Sequence, residues 1–169
     1  YDDVCFKKKS WINRNRIYDI KKGETLFSVP LKKASQNKLI LDIEICIDSI
    51  WIDKFYKKLK NSYGKSKQFN NVIEIIINLF KKNIDIPISE LAIKSIIEVY
   101  DYLDIKFEFL RSSEINPNYF DLKKADRLIK LSLSQGKNNY VNLIGGKEIY
   151  DKKYFASKNL VLNFIETKF

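Results

Sequence analysis

The sequence predicts an α/β domain, and three observations carry that reading: a strand-rich opening, a helical middle with apolar residues at helical spacing, and an alternation of strand and helix in the last third. The chain has 169 residues, enough to bury a core without disulfide or metal staples. It shows no internal repeat, linker or low-complexity tail, so a single domain over residues 1–169 is expected. The expected architecture is a mostly parallel or mixed sheet flanked by helices, ending in a Rossmann-like C-terminal βαβαβ unit.

Strands are expected at residues 4–7, 16–20, 24–29 and 39–45, with Lys21-Lys22-Gly23-Glu24 as the turn between the second and third. In the last of these, Leu39, Leu41, Ile43 and Ile45 alternate with Ile40, Asp42 and Glu44, the period of a sheet with one wet face. Asp48 suits the N-cap of a helix with Trp51, Phe55 and Leu59 on one side and lysines elsewhere. Val72, Ile73, Ile76, Leu79 and Phe80 mark a second helix, whose wide apolar face predicts deep burial. Ser89 is the expected cap of a third, with Ala92, Ile93, Ile96, Ile97, Tyr100 and Leu103 turned inward. Ile105, Phe107 and Phe109 then mark a strand over residues 105–110, and Leu122, Ala125, Leu128, Ile129 and Leu133 a helix closed by Gly136. Residues 140–144 read as a strand, 147–156 as a short helix and 160–165 as the last strand. Units of this length favour parallel strands joined by right-handed crossovers.

The formal net charge is +10, carried chiefly by lysines spread along the chain, and solvated helix faces account for most of them. There is no clustered basic and aromatic surface, so nucleic acid is not the expected partner. Cys5 and Cys46 make neither a metal spacing nor a disulfide framework and read as small apolar residues, which fits a reducing, cytoplasmic setting. No run of about 18 apolar residues suggests a membrane span. Tyr1 opens a chain without methionine, which reads as a fragment or processed product whose first element begins upstream.

Histidine is absent, so a Ser-His or Cys-His nucleophile is excluded within these residues, and acid–base work falls to carboxylates, lysine, tyrosine or the substrate. The segment Trp11-Ile12-Asn13-Arg14-Asn15-Arg16 concentrates amides and guanidinium groups around one indole. On a strand Arg14 and Arg16 point the same way, each offering a planar fork to carboxylate or phosphate. Asp2 and Asp3 read either as a base or metal ligand, or as a strand-end pair that caps a loop or pairs with Arg14 or Arg16. Two further segments follow expected strands: Arg111-Ser112-Ser113, and Gly145-Gly146 just before a helix. If those strands are parallel, both segments lie at the sheet edge where α/β ligands bind, an arginine and two hydroxyls completing an anion pocket and the glycines supplying close backbone amides. The bland alternatives are a helix-capping loop for the first and a turn for the second. Arg127, inside an amphipathic helix, reads as solvated or salt-bridged. The residues name no cofactor and no metal set.

Tyr1-Asp2-Asp3-Val4, Ser10-Trp11-Ile12-Asn13-Arg14-Asn15-Arg16-Ile17, Val29-Pro30-Leu31-Lys32, Arg111-Ser112-Ser113, Asp126-Arg127-Leu128-Ile129 and Ile144-Gly145-Gly146 with Tyr150 follow one another across nearly the whole chain. In this set the chain resembles the WbqC-like family of bacterial proteins, the Trp-x-Asn-Arg-Asn-Arg segment being the specific part. The resemblance implies a place in surface-polysaccharide (O-antigen) biosynthesis or related small-molecule tailoring. The family pattern opens with a further strand and a Gln-Pro-rich aromatic segment that this chain lacks, so it resembles an N-terminally truncated member. Asn142-Leu143-Ile144 stands where the family has a serine near the diglycine, and no role for that hydroxyl carries over.

The function expected from these features is a transferase using a phosphate-bearing donor, such as a nucleotide sugar or a pantetheine thioester. In it Arg14, Arg16 and Arg111 hold anionic oxygens beside Asp2, Ser112 and Ser113, and Gly145 and Gly146 donate backbone amides. Asn13 and Asn15 orient the acceptor, Asp3 takes up a proton, and Trp11 walls the pocket. The alternative is a non-catalytic module that binds an anionic small molecule, a carrier-linked substrate or a partner enzyme with the same arginines.

Overall fold

The computed structural model describes residues 1–115, 119, 121, 122 and 124–167. The chain gathers into two compact units, one spanning Asp2–Phe109 and the other Tyr1 with Leu110–Phe169.

The larger unit opens on an antiparallel hairpin of β1 (Arg14–Asp19) and β2 (Gly23–Ser28), in register from Arg14 opposite Ser28 to Asp19 opposite Gly23. Its turn is made by Asp19, whose Oδ1 accepts the amides of Lys21 at 2.9 Å and Lys22 at 3.1 Å. Those two bonds favour the charged carboxylate and hold Asp19 below its ordinary value. Gly23 then adopts φ +71°, a conformation open to glycine at little cost.

The expected strand at 39–45 does not form as such; its second half is extended chain held by isolated bridges from Glu44 to Pro87 and from Ile45 to Leu31. Ile40–Asp42 is a turn of 3₁₀ helix, which carries Ile40 into the core although alternation places it outward. From Ile43 onward the chain is extended and bonded on both sides. Ile45 donates to Ile86 and Ile88 to Ile43, at 2.9 and 2.8 Å, while Lys32 donates to Glu44 and Cys46 to Pro30, both at 2.8 Å. Ile43 and Ile45 are fully buried. Glu44 faces out and pairs with Lys32 at 3.1 Å, and the same ammonium reaches Asp85 at 2.6 Å. The strand at 4–7 shrinks to a bridge between Cys5 and Leu39. Cys5 and Cys46, expected as small core residues, are both exposed, because the alternation gives the inward positions to their neighbours Phe6, Ile45 and Ile47.

Helix α1 (Ser49–Tyr63) begins as expected at Asp48, whose Oδ1 accepts the Trp51 amide at 2.7 Å. It buries Ile52, Phe55 and Leu59; α2 (Phe69–Lys82) buries Ile73, Leu79 and Phe80, while Val72 stays exposed. Aromatic rings knit β2, α1 and α2 together. Phe55 lies 4.7 Å from Phe27 and 5.7 Å from Phe80, in tilted and edge-on geometry.

Helix α3 (Ile88–Tyr102) starts after Pro87, not at Ser89, because pairing of residues 86–88 with 43–45 sets where the extended chain ends. Ser89 is buried inside the first turn. Only that turn reaches the core, through Ile88 and Leu91; Ile96 and Leu103, expected inward, are exposed together with Val99.

Residues 105–110 form no strand. Their alternation instead stacks rings along the segment and onto α3: Phe107 sits 4.0 Å from Tyr100 and 5.5 Å from Phe109. The two phenylalanines thereby find ring partners without a sheet, while Ile105 and Leu110 stay exposed.

In the smaller unit α4 (Ser112–Ile115) precedes α5 (Lys124–Ser134), which buries Leu128, Ile129 and Leu131 and is followed by Gly136 at φ +66°. Next, β3 (Asn139–Leu143) pairs parallel with β4 (Val161–Ile165), Asn139 opposite Val161. The helix expected at 147–156 is split. Ile144–Glu148 is a 3₁₀ turn onto whose Gly146 carbonyl the amides of Ile149 and Tyr150 fold back, and α6 (Lys152–Ala156) starts afresh at Asp151, which accepts the Lys153 amide at 2.6 Å. Phe155 and Leu160 centre this unit's core with Leu128, Ile129 and Leu162.

Among the described residues the molecule is therefore mixed α/β, with two separate two-stranded sheets, one antiparallel and one parallel. The Rossmann-like βαβαβ unit does not form, since its first strand is absent and one parallel pair remains. None of the described helices is long and apolar enough to cross a membrane.

Candidate functional site

A cavity of about 710 Å³ opens in the larger unit between the hairpin and helices α1, α2 and α3. Residues 11–17 form one side of it. Its wall is the unit's own core: Phe55, Leu59, Ile73, Leu79 and Phe80 line it, with the half-buried Ile76 and Ala92. Among the described residues no aspartate or glutamate lines it, and the charged groups are Arg14 and Arg16.

The two arginines sit on alternate positions of β1, as the spacing predicts, but their surroundings differ. Arg16 lies 2.8 Å from Glu24, its guanidinium 5.0 Å from the centre of the exposed Trp11 ring. Arg14, half-buried, makes no ion pair among the described residues. The asparagines serve the backbone. Asn13 Nδ2 donates to the Val29 carbonyl at 3.0 Å while its own carbonyl accepts the Val29 amide at 2.7 Å, tying the base of the hairpin. Asn15 Oδ1 accepts the Arg16 amide at 2.8 Å. At the far end the Tyr18 amide donates to the Tyr63 hydroxyl at 2.6 Å, which pins β1 to α1. Asp2 and Asp3 are both buried, both have partners, and neither lines the cavity.

Arg111, Ser112, Ser113, Gly145 and Gly146 belong to the smaller unit. Arg111 precedes α4, with Glu114 3.7 Å away, and Ser112 is buried. With no strand at 105–110, this triplet does not sit at a strand's carboxyl end, and the reason for pairing it with the diglycine on one sheet edge falls away. Gly145-Gly146 does follow β3, within the 3₁₀ turn. Gly145 has open space where a Cβ would stand, whereas a Cβ on Gly146 would come within 2.8 Å of Asn142 Nδ2. Elsewhere in this unit burial, reinforced by Tyr140, pushes the Tyr1 phenol up, and Arg127 lies 5.9 Å from the Tyr1 ring. Among the described residues no His, Cys, Asp and Glu side chains gather as a metal-ligand set.

The cavity wall on α2 and α3 was not recognisable as such from sequence, where Ile73, Ile76, Ala92 and Ile96 read as core. The available signal was excess. Residues 72–80 carry seven apolar side chains, Val72, Ile73, Ile75, Ile76, Ile77, Leu79 and Phe80, of which only three are buried.

The model of the WbqC-like protein family matches residues 1–169. No curated protein and no solved structure matches the chain.

Proposed function

As the chain belongs to the WbqC-like protein family along its whole length, we propose that it is a transferase in the assembly of bacterial surface polysaccharide or related small molecules, acting in the cytoplasm on a phosphate-bearing donor. The observation that supports this most is Arg14. It lines a ligand-sized cavity, and among the described residues no carboxylate lines that cavity with it and it makes no ion pair. A guanidinium so placed suits a phosphate or carboxylate, with Arg16 and Trp11 beside it.

In this reading the acceptor's amine or hydroxyl attacks the donor, a bond to the transferred group forms as the bond to the donor's leaving group breaks, and Asp3 takes up the acceptor's proton. Asp2 is a further substrate-binding position, and Asn13 and Asn15 hold the hairpin that presents the arginines. Arg111, Ser112, Ser113, Gly145 and Gly146 are proposed as further anion-binding positions within the smaller unit.

A thermal-shift series with nucleotide sugars, coenzyme A thioesters and phosphopantetheine tests the donor site, since a ligand that binds the native state alone raises its melting temperature. One of these should stabilise the protein and lose that effect in Arg14→Ala. An equal shift in the variant removes Arg14 from the site.

One observation favours a second reading, a non-catalytic module for an anionic carrier or partner enzyme: Asp3 is buried and does not line the cavity. Undiminished turnover in Asp3→Asn would take the proton-accepting role from Asp3.

A further inference from the structure

We infer that the cavity of the larger unit holds an apolar acyl or alkyl chain, with the anionic head of that ligand at Arg14. The position of the head rests on the function proposed above; the chain's does not. A sugar or nucleotide carries polar groups around its rings, and each needs a partner once withdrawn from water. Here the cavity has little to give. Its wall is built of Phe55, Leu59, Ile73, Ile76, Leu79 and Phe80.

The polar side chains along the edge are largely committed. Ser95 Oγ donates to the Ala92 carbonyl at 2.7 Å within its own helix. Gln68 Oε1 accepts from Asn71 at 3.0 Å and from the Tyr102 hydroxyl at 3.3 Å. Asn13 is tied to Val29 on both its side chain and its backbone. What remains is chiefly apolar volume with the Arg14 and Arg16 guanidinium groups at one side and, among the described residues, no acidic lining residue to repel a negative head. At about 710 Å³ the space is far larger than the voids of a packed interior and lies within the range of ligand pockets. Ala92, small among large neighbours, leaves part of that room.

Calorimetric titration of the full chain with butyl, octyl and dodecyl phosphate, each below its micelle concentration, tests the inference. Affinity should rise about fourfold per added methylene until the cavity is filled, with a heat-capacity change that grows more negative along the series. Ala92→Phe places a ring in the cavity and should weaken dodecyl phosphate about tenfold or more while leaving butyl phosphate unchanged. If that variant fails to fold, Ile76→Asn, which makes the wall polar, should give the same loss. Tighter binding of dodecanoyl phosphopantetheine than of dodecyl phosphate identifies a carrier-borne acyl group, and equal binding identifies a free lipid anion; both support the chain site. Affinity independent of length, or no binding at any length, overturns it. A length series that survives unchanged in Arg14→Ala keeps the chain site and removes the head from Arg14, so the two claims fail separately.

Discussion

Two arginines one residue apart do different work because their neighbours differ. Arg16 is compensated by Glu24 and rests over Trp11, both exposed, so its pairing is screened and contributes little to stability. Arg14 has no such partner among the described residues. Loss of a charged hydrogen-bond partner costs about 1.5–3 kcal/mol, so Arg14→Ala should weaken an anionic ligand by about tenfold to a hundredfold. Arg16→Ala should weaken it less, and calorimetry on the two variants orders them. The diglycine splits in the same way. Gly145→Ala should be neutral, whereas Gly146→Ala brings a Cβ against the end of the Asn142 side chain, which must turn aside, and should cost about 1 kcal/mol or less in a denaturant titration. Asn142→Ala in the same chain should restore most of that loss. Spacing alone was enough to place Arg14 and Arg16 on one face of a strand, and residue type marked Asp48 as a cap; Asp19, inside the expected strand 16–20, instead closes the hairpin turn. Which arginine is already paired was not legible, since Glu24 lies across the hairpin and its approach depends on register.

At the level of elements, the best-tied segment is residues 43–46, bonded to extended chain on both sides and fastened outside by Lys32. Hydrogen bonds to Asp85 and then Glu44 raise the Lys32 ammonium above its ordinary 10.5. A base raised on folding stabilises the fold fully below its unfolded value and loses that contribution as pH rises through the folded one. The melting-temperature gap between the protein and Lys32→Met should therefore be constant at neutral pH and close above about pH 10.5. Periodicity read correctly wherever local pattern and long-range pairing agreed, as at α1 and in Ile43 and Ile45. It failed where they parted. Of Ile105, Phe107 and Phe109, Phe107 packs on Tyr100 and Phe109 on Phe107 while Ile105 stays exposed, and period two describes any extended chain whether or not a neighbour bonds to it. Likewise Ile96 and Leu103 continue α3's apolar stripe beyond the only turn the core covers.

For the whole molecule, each unit has its own buried cluster, built around Ile43, Ile45 and the Phe27, Phe55 and Phe80 rings in one and around Phe155 and Leu160 in the other. The family motif crosses both, but the cavity lies wholly within residues 11–96 of the larger. A net charge of +10 spread over the chain does not by itself mark a site; the proposed site rests instead on Arg14 beside an apolar wall with no carboxylate among its described lining residues. That combination was half legible. The Trp11-to-Arg16 segment announced a polar rim, but the opposing wall comes from helices about 40 to 80 residues downstream, whose side chains look in sequence like any other core. A crystal structure of the protein with dodecyl phosphate is the most direct measurement: the account predicts the phosphate within hydrogen-bonding reach of Arg14 and the chain against Phe55 and Ala92. A phosphate bound away from Arg14, with the chain outside the cavity, would contradict it.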